Sequence, residues 1–235
     1  MRTIWAILPV KTPTLSKTRL SSLLSEEECA GLAQAMMTDV ITMLSACKHV
    51  AHIAVMTRDE TMASIARKHN ALIMLETIDD AGDNLNKNLN VVAEELQNKF
   101  VDGILIVPAD LPTMDPAEID TFIASHAEGD AVSLCPAEKD GGTNALLCTP
   151  PAAIPFKFGK NSAEAHRQTA EGLGLSVQQQ YLSSLQCDID EPDDLRWLVN
   201  QALKAEAGVT TSQYLAGSGI SERLLHNKPK PETTP

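Results

Sequence analysis

Residues 3–10 (TIWAILPV) form a short unbroken apolar run. Such a run predicts a strand buried on both faces, as in a parallel sheet, rather than a half-exposed strand with alternating polarity. A helix should follow from Ser25. Ser25 with Glu28 three residues on makes a capping box, and Glu26 and Glu27 suit the positive end of a helix dipole. Cys29, Leu32, Ala33, Met36, Val40, Met43, Leu44 and Cys47 recur at three- and four-residue spacing, which gives this helix an apolar face. Its methionines read as core filling.

The pattern then alternates. Strands are expected at His52–Met56, Ala71–Leu75, Gly103–Val107, Ala131–Cys135 and Asn144–Cys148. Helices are expected at Asp59–His69, Leu85–Asn98, Pro116–Ala127, Ser162–Glu171 and Pro192–Ala205. Asp115 is placed to cap the helix that opens at Pro116. Alternation of this kind predicts an α/β fold, with a mostly parallel sheet and helices on both faces, over one domain spanning residues 1–225. Gly208–Leu225 is open to two readings, a final packed helix or a homodimer contact. The Pro-, Lys- and Thr-rich stretch His226–Pro235 reads as a disordered tail.

Charge narrows the range of partners. The chain of 235 residues has 19 Lys+Arg against 31 Asp+Glu, a net charge of −12, so a broad nucleic-acid-binding face is not expected. Aromatics at 3% are too few for a base-stacking platform. No apolar run approaches the ~18 residues of a membrane span. The odd count of 5 cysteines, with no C-x-x-C and no signal peptide, predicts a reducing, cytoplasmic setting. Within this acidic chain, residues 1–25 hold Arg2, Lys11, Lys17 and Arg19 and no acid, a local arrangement suited to an anion.

Ligands of open α/β sheets bind beyond the carboxyl ends of the strands, and three segments place polar residues there. The first is Lys11 to Arg19. Lys11, Lys17 and Arg19 could surround phosphates as charge-assisted donors, and with no glycine in residues 1–30 the side chains would do the holding. The alternative is a solvated basic loop. In the second, Val107-Pro108-Ala109-Asp110-Leu111-Pro112, an apolar strand ends in a carboxylate stiffened by two prolines. That suits a Mg²⁺ ligand, because Mg²⁺ takes one or two carboxylates plus substrate phosphates. The alternative is an Asp that merely forms a turn. In the third, Cys187-Asp188-Ile189-Asp190-Glu191-Pro192, an extended backbone would put the Asp188 and Asp190 carboxylates on one side, where a cation would relieve their repulsion. Asp190 could instead cap the helix at Pro192. Two weaker segments remain. Asp140-Gly141-Gly142-Thr143-Asn144 reads as a plain hairpin turn or as backbone donors for an anion. Phe158-Gly159-Lys160-Asn161-Ser162 leads into a helix whose free N–H groups form an anion site, with Ser162 as a plain cap the alternative. His166, one turn on, reads as structural or surface.

Taken in order, these segments resemble the guanylyltransferase family of deazaflavin coenzyme F-420 biosynthesis, which acts on 2-phospho-L-lactate, phosphoenolpyruvate or 3-phospho-D-glycerate. The resemblance spans roughly residues 4–200. It rests on Pro9-Val10-Lys11 with Lys17-Thr18-Arg19-Leu20, which is similar to the family's P-V-K…K-S-R-L, and on Leu24-Ser25, Ala35-Met36 and Asp39-Val40. It continues through Pro108–Pro112, Asp140–Asn144, Phe158-Gly159…Ser162 and Asp188–Leu195. The resemblance implies a Rossmann-like nucleotidyltransferase sheet. It also implies GTP and a small phosphorylated carboxylic acid as substrates, with Mg²⁺ on Asp110, Asp188 and Asp190. Thr143, Gly159 and Ser162 match the acid-holding positions, and Lys17 and Arg19, together with Asp110, the catalytic signature. Thr18 replaces the family's Ser and keeps the hydroxyl. Asn84-Leu85-Asn86-Lys87-Asn88-Leu89 stands where the family shows G-L-N-x-A-L, and is expected to alter the wall near the nucleotide.

Three other readings fit less well. Sugar-phosphate and molybdopterin nucleotidyltransferases carry a Gly-rich loop after the first strand. A glycosyltransferase D-x-D sits mid-chain. A non-catalytic nucleotide-binding module would not need the carboxylates. On the favoured reading Lys17→Ala should chiefly weaken GTP use. GTP saturation curves that match the wild type would remove Lys17 from the site.

Overall fold

The computed structural model describes residues 2–11, 18–76 and 84–226. The predicted tail beyond His226, and Lys17, lie outside them. Seven strands form one sheet in the order β3-β2-β1-β4-β6-β5-β7. They are β1 Ile4–Pro9, β2 Val50–Met56, β3 Leu72–Met74, β4 Gly103–Ile106, β5 Ala131–Pro136, β6 Thr143–Thr149 and β7 Ser176–Gln179. Pairing is parallel except where β6 meets β4 and β5, so β6 alone is reversed. Among the described residues eight α-helices accompany the sheet: α1 Glu26–Ala46, α2 Glu60–Lys68, α3 Asn84–Asn98, α4 Pro116–Ala124, α5 Ser162–Gly172, α6 Pro192–Leu203, α7 Val209–Gly217 and α8 Ile220–His226.

The apolar run at the start becomes a strand clothed on both faces. Ile4, Ala6 and Leu8 pack with α1, α2 and α4 on one side. Ile7 and Trp5 pack with α3 and α5 on the other. The predicted α/β architecture with helices on both faces is therefore present. β7 was not expected from the sequence: SVQQ has one apolar residue, because this strand lies at the sheet edge, half exposed, paired only with β5. A short strand of that kind needs no continuous apolar run.

α1 starts as predicted. The Ser25 hydroxyl accepts the Glu28 N–H at 3.2 Å, and the Glu28 carboxylate accepts the Ser25 N–H at 2.9 Å. It differs from expectation in having two buried faces. Ala33, Met37, Val40, Ile41 and Leu44 face the sheet. Cys29, Leu32 and Met36 join Leu195, Leu198, Val199, Leu215, Ile220 and Leu224 in a separate core under α6, α7 and α8. By length and apolarity alone α1, with 21 residues, would also pass for a spanning helix. Its place in the middle of three layers accounts for that composition. Of the two readings of Gly208–Leu225, the packed one matches, although as two helices rather than one.

One buried carboxylate ties these layers together. Asp39, 3% exposed, accepts the N–H groups of Thr210 and Thr211 at 2.9 and 2.7 Å, filling the N-terminus of α7. Gly208 makes the approach possible, since a Cβ there would lie 2.2 Å from the Asp39 carboxyl. Gly208→Ala should therefore lower unfolding free energy by roughly 2 kcal/mol or more, as overpacking against a hydrogen-bonded carboxylate does. Gly172→Ala, where a Cβ meets nothing within 4 Å, should be neutral or mildly stabilising. Urea titrations giving both variants the same midpoint would refute the close packing.

Candidate functional site

From β1 the chain winds outward to β2 and β3, then returns to the far side of β1 as β4. The reversal puts a topological switch point at the carboxyl ends of β1 and β4, the usual ligand position of such a sheet. Both motif loops leave from there. Beyond β1, the Val10 N–H donates to the Met56 carbonyl at 2.9 Å, and Lys11 follows, exposed. Beyond β4, the Val107 N–H donates to the Ile7 carbonyl at 3.1 Å and leads into Pro108-Ala109-Asp110. Leu111 and Met114 are buried in the core, so Asp110 sits between a strand and an anchor.

The third segment is laid against the second. The Ile189 N–H donates to the Asp110 carbonyl at 3.2 Å, and Ile189 is fully buried between half-buried Asp188 and Asp190. Its approach is pinned side by side with α4 and β6. Glu118 accepts the Ser184 N–H at 2.9 Å and the Ser184 and Ser183 hydroxyls at 2.8 and 2.5 Å. Thr113 donates to the Ser184 carbonyl at 3.0 Å, and Asn144 to the Leu185 carbonyl at 2.6 Å. Burial pushes the Glu118 carboxyl up, but these donors outweigh it and hold the group below its ordinary range.

Basic groups close over the same place. Arg19, in a 3-10 turn at Thr18–Leu20, reaches Glu191 at 3.3 Å. Lys139, from the β5–β6 turn, contacts Glu191 at 2.5 Å and Asp194 at 3.1 Å. Asp194 also accepts the N–H groups of Glu191 and Asp190 at 2.8 and 3.2 Å. Asp194 thus organises the start of α6, and Glu191 rather than Asp190 stands at the cap position. The Cys187 thiol is pushed up to about 12 by burial and the carboxylates of Asp194 and Asp188, with Lys139 opposing and Asp110 adding.

Because β6 is reversed, its first residue lies at this edge too, with Thr143 paired to Pro136 at the end of β5. The Thr143 hydroxyl is 2.8 Å from that of Ser162, and 3.1 Å from His166 Nδ1. The Lys157 N–H donates to His166 Nε2 at 2.9 Å. The neighbouring loop is fixed as well: Asn86 accepts the Phe158 N–H at 2.7 Å and donates to the Phe158 carbonyl at 3.0 Å, and Asn90 accepts the Phe156 N–H at 3.2 Å. Within the Asn84–Leu89 segment Asn86 thus bonds this loop, Leu89 is buried in the core, and Asn88 turns back to the Asn84 carbonyl at 2.9 Å.

One open reading is narrowed and one expectation is corrected. The Gly142 N–H is taken by the Asp140 carboxylate at 2.7 Å, so Asp140–Asn144 is a hairpin turn and that N–H is not an anion donor. At the start of α5, the Ser162 and Ala163 N–H groups donate to the Gly159 and Gly141 carbonyls at 3.1 Å, and Ser162 is the first helical residue after Asn161, not the cap. Gly159 has φ of +143°, a conformation that calls for glycine.

Thr143 and Ser162 are thus in contact, with Gly159 next to them. The loops of Asp110, Asp188 and Asp190 are adjacent, and Arg19 reaches their border. Lys11 stands at the end of β1. Among the described residues no three His, Cys, Asp or Glu side chains converge as a metal cage. The sequence reading missed Lys139 and gave Asp194 and Asn86 no role of their own, while the structural reading of His166 matches its full burial. The visible signals were a lysine beside the glycine turn, an Asp at the third position of a helix, and Asn86 and Asn90 one turn apart.

A mostly parallel sheet with a switch point edged by acidic and basic loops is an arrangement that α/β nucleotidyltransferases share with other nucleotide-binding proteins. A solved structure from Desulfovibrio desulfuricans G20 superposes with a TM-score of 0.75 over 95% of this chain and 99% of its own, at 15% identity. A cytidylyltransferase from Leptospira borgpetersenii has a TM-score of 0.60 over 98% and 99%, at 10% identity. At such identities these establish the fold. In sequence, the 3-phospho-D-glycerate guanylyltransferase of Colwellia psychrerythraea is 35% identical over 192 residues, 82% of this chain and 89% of the relative. The phosphoenolpyruvate guanylyltransferase of Sphaerobacter thermophilus is 33% identical over 84% and 93%. The 2-phospho-L-lactate guanylyltransferase of Methanobrevibacter smithii is 29% identical over 100% and 99%. The model of the guanylyl transferase CofC-like family matches residues 4–226, and the chain belongs to that family.

Two buried histidines give this molecule a pH dependence. Burial, reinforced by Lys157, lowers His166 to about 4, and burial, reinforced by Arg2, lowers His126 to about 4. His126 is bonded on both nitrogens, to Ser133 at 2.7 Å and Thr149 at 2.8 Å. The fold therefore favours the neutral imidazoles. Their contribution is complete above the unfolded value of ~6.5 and declines as pH falls toward 4, at up to about 1.4 kcal/mol per pH unit for each. Urea midpoints should fall over this window, and less steeply in His126→Phe. Midpoints flat from pH 7 to pH 4.5 would contradict both assignments.

Proposed function

We propose that this chain transfers GMP from GTP to the phosphate of a three-carbon phospho-acid and releases pyrophosphate, in the biosynthesis of coenzyme F-420. The acceptors considered are 3-phospho-D-glycerate, phosphoenolpyruvate and 2-phospho-L-lactate, the acids named in its relatives. The observation that carries the reading is the paired hydroxyls of Thr143 and Ser162, on the same sheet edge as the Asp110 loop. Polar groups that hold a small acid thus stand beside carboxylates and cations suited to a nucleotide's phosphates.

The chemistry asks little of the protein in proton transfer. The nucleophile is a phosphate oxygen already ionised at neutral pH, so no general base is required. The obstacle is repulsion between two polyanions, which positioning and charge neutralisation overcome. Lys11, Lys17 and Arg19 would hold the triphosphate and its leaving pyrophosphate, and Lys139 lies within reach of the same border. Thr143, Ser162 and Gly159 would hold the acceptor.

Carboxylate oxygens suit a hard cation, and Asp110, Asp188 and Asp190 are the residues that would hold Mg²⁺. Substrate phosphates normally complete a Mg²⁺ shell, so a preformed three-residue cage is not needed. Bound there, Mg²⁺ would supply positive charge to the phosphates. The five cysteines are free thiols, in keeping with a cytoplasmic enzyme.

Incubation with GTP, Mg²⁺ and each acid in turn should release pyrophosphate and yield a product whose mass is the acid plus a guanylyl group. No turnover with any of them would defeat the proposal. Asp188→Asn should lower turnover by about 10²-fold or more while leaving the urea midpoint near that of the wild type. Undiminished turnover would remove Asp188 from the site.

A further inference from the structure

The hydroxyl pair is not an isolated contact. It ends a buried chain of hydrogen bonds, and the direction of that chain can be read. The Lys157 N–H can only donate, so His166 Nε2 must accept at 2.9 Å and carry no hydrogen. The neutral ring then carries its proton on Nδ1, which points at the Thr143 oxygen 3.1 Å away. The ring is fixed further by Phe158, whose edge meets it with centroids 4.9 Å apart. Ser162, Thr143 and His166 are 1%, 5% and 0% exposed, so bulk water does not set this arrangement.

Counting protons gives the consequence. Thr143 accepts from His166, so its own hydroxyl proton is not used by the ring. The Thr143–Ser162 bond at 2.8 Å uses one of the two hydroxyl protons, whichever residue donates. A single proton remains for a ligand. If the imidazole carried its proton on Nε2 instead, Thr143 would donate to the ring, Ser162 would donate to Thr143, and none would remain. The state of His166 thus decides whether the pair meets an anion with a proton or with lone pairs.

We propose that His166 is a positioning residue, which orients the Thr143–Ser162 hydroxyl pair so that one hydroxyl donates to an anionic oxygen of the acceptor phospho-acid. This rests on the acceptor site proposed above. It goes further in assigning a role to a residue that touches neither substrate, and in fixing how many protons the hydroxyl pair can offer.

The test has two arms on the full chain. In ¹⁵N-histidine NMR at neutral pH, His166 should show the tautomer protonated on Nδ1. The Nε2-protonated form would overturn the proposal, whatever the activity. In steady-state kinetics, His166→Phe should raise the KM of the phospho-acid on the order of ten-fold or more, the typical loss of a hydrogen bond to a charged group, with the KM of GTP nearly unchanged. His166→Asn, which keeps a donor near the Nδ1 position, should recover much of that loss. Adding Ser162→Ala to His166→Phe should cost little more than either change alone, because the two act through one pair. An acceptor KM unmoved in His166→Phe, or penalties that add fully in the double variant, would overturn the positioning role alone. Absence of GMP transfer by the wild type to any of the three acids would instead overturn the underlying function, and the role with it.

Discussion

The hydrogen bond from the Ile189 amide to the Asp110 carbonyl joins two segments far apart in sequence, and the site depends on it. One side is stiffened by prolines and by the buried Leu111. The other is held by buried Ile189 and by a set of bonds from Glu118, Thr113 and Asn144 to the chain just before it. Acidic side chains placed near one another repel, and free loops would move apart. Here the backbone is tied first, and the carboxylates follow. Remote packing thus fixes where the two acidic segments run relative to one another.

The surrounding cations are managed in the same manner. Glu191 takes both Arg19 and Lys139, and Asp194 shares Lys139 while bonding two backbone amides. The two Glu191 pairs are exposed and each is worth little in stability, whereas Lys139 meets an Asp194 carboxylate that is buried. Their effect is local: they gather basic side chains at the border of the Asp110 and Asp188–Asp190 loops. The acidic net charge of the chain therefore says little about the field at this one edge.

Much of this was legible in the sequence. The continuous apolar run of β1 announced a two-sided parallel strand, and Ser25 with Glu28 announced the start of α1. Pro108-Ala109-Asp110 read correctly as a stiff strand end, because proline acts locally. What stayed hidden depended on tertiary partners. β7 is polar because it is an edge. α1 has a second buried face because helices from the end of the chain cover it. Asp39 looked like any polar residue of a helix until α7 was placed on it. Lys139, Asp194 and His166 acquire their surroundings only when the β5–β6 turn, α5 and α6 meet.

The sandwiched position of α1 also bears on how the protein is made. Its Cys29–Leu32–Met36 face is covered by α6, α7 and α8, which a ribosome delivers long after α1 itself. At ~5–20 residues per second the delay is on the order of ten seconds. Throughout that interval the nascent chain displays a long apolar helix with half its cover absent. That surface is of the kind that molecular chaperones shield. Synthesis of α6, α7 and α8 is then the step that covers this face of the helix.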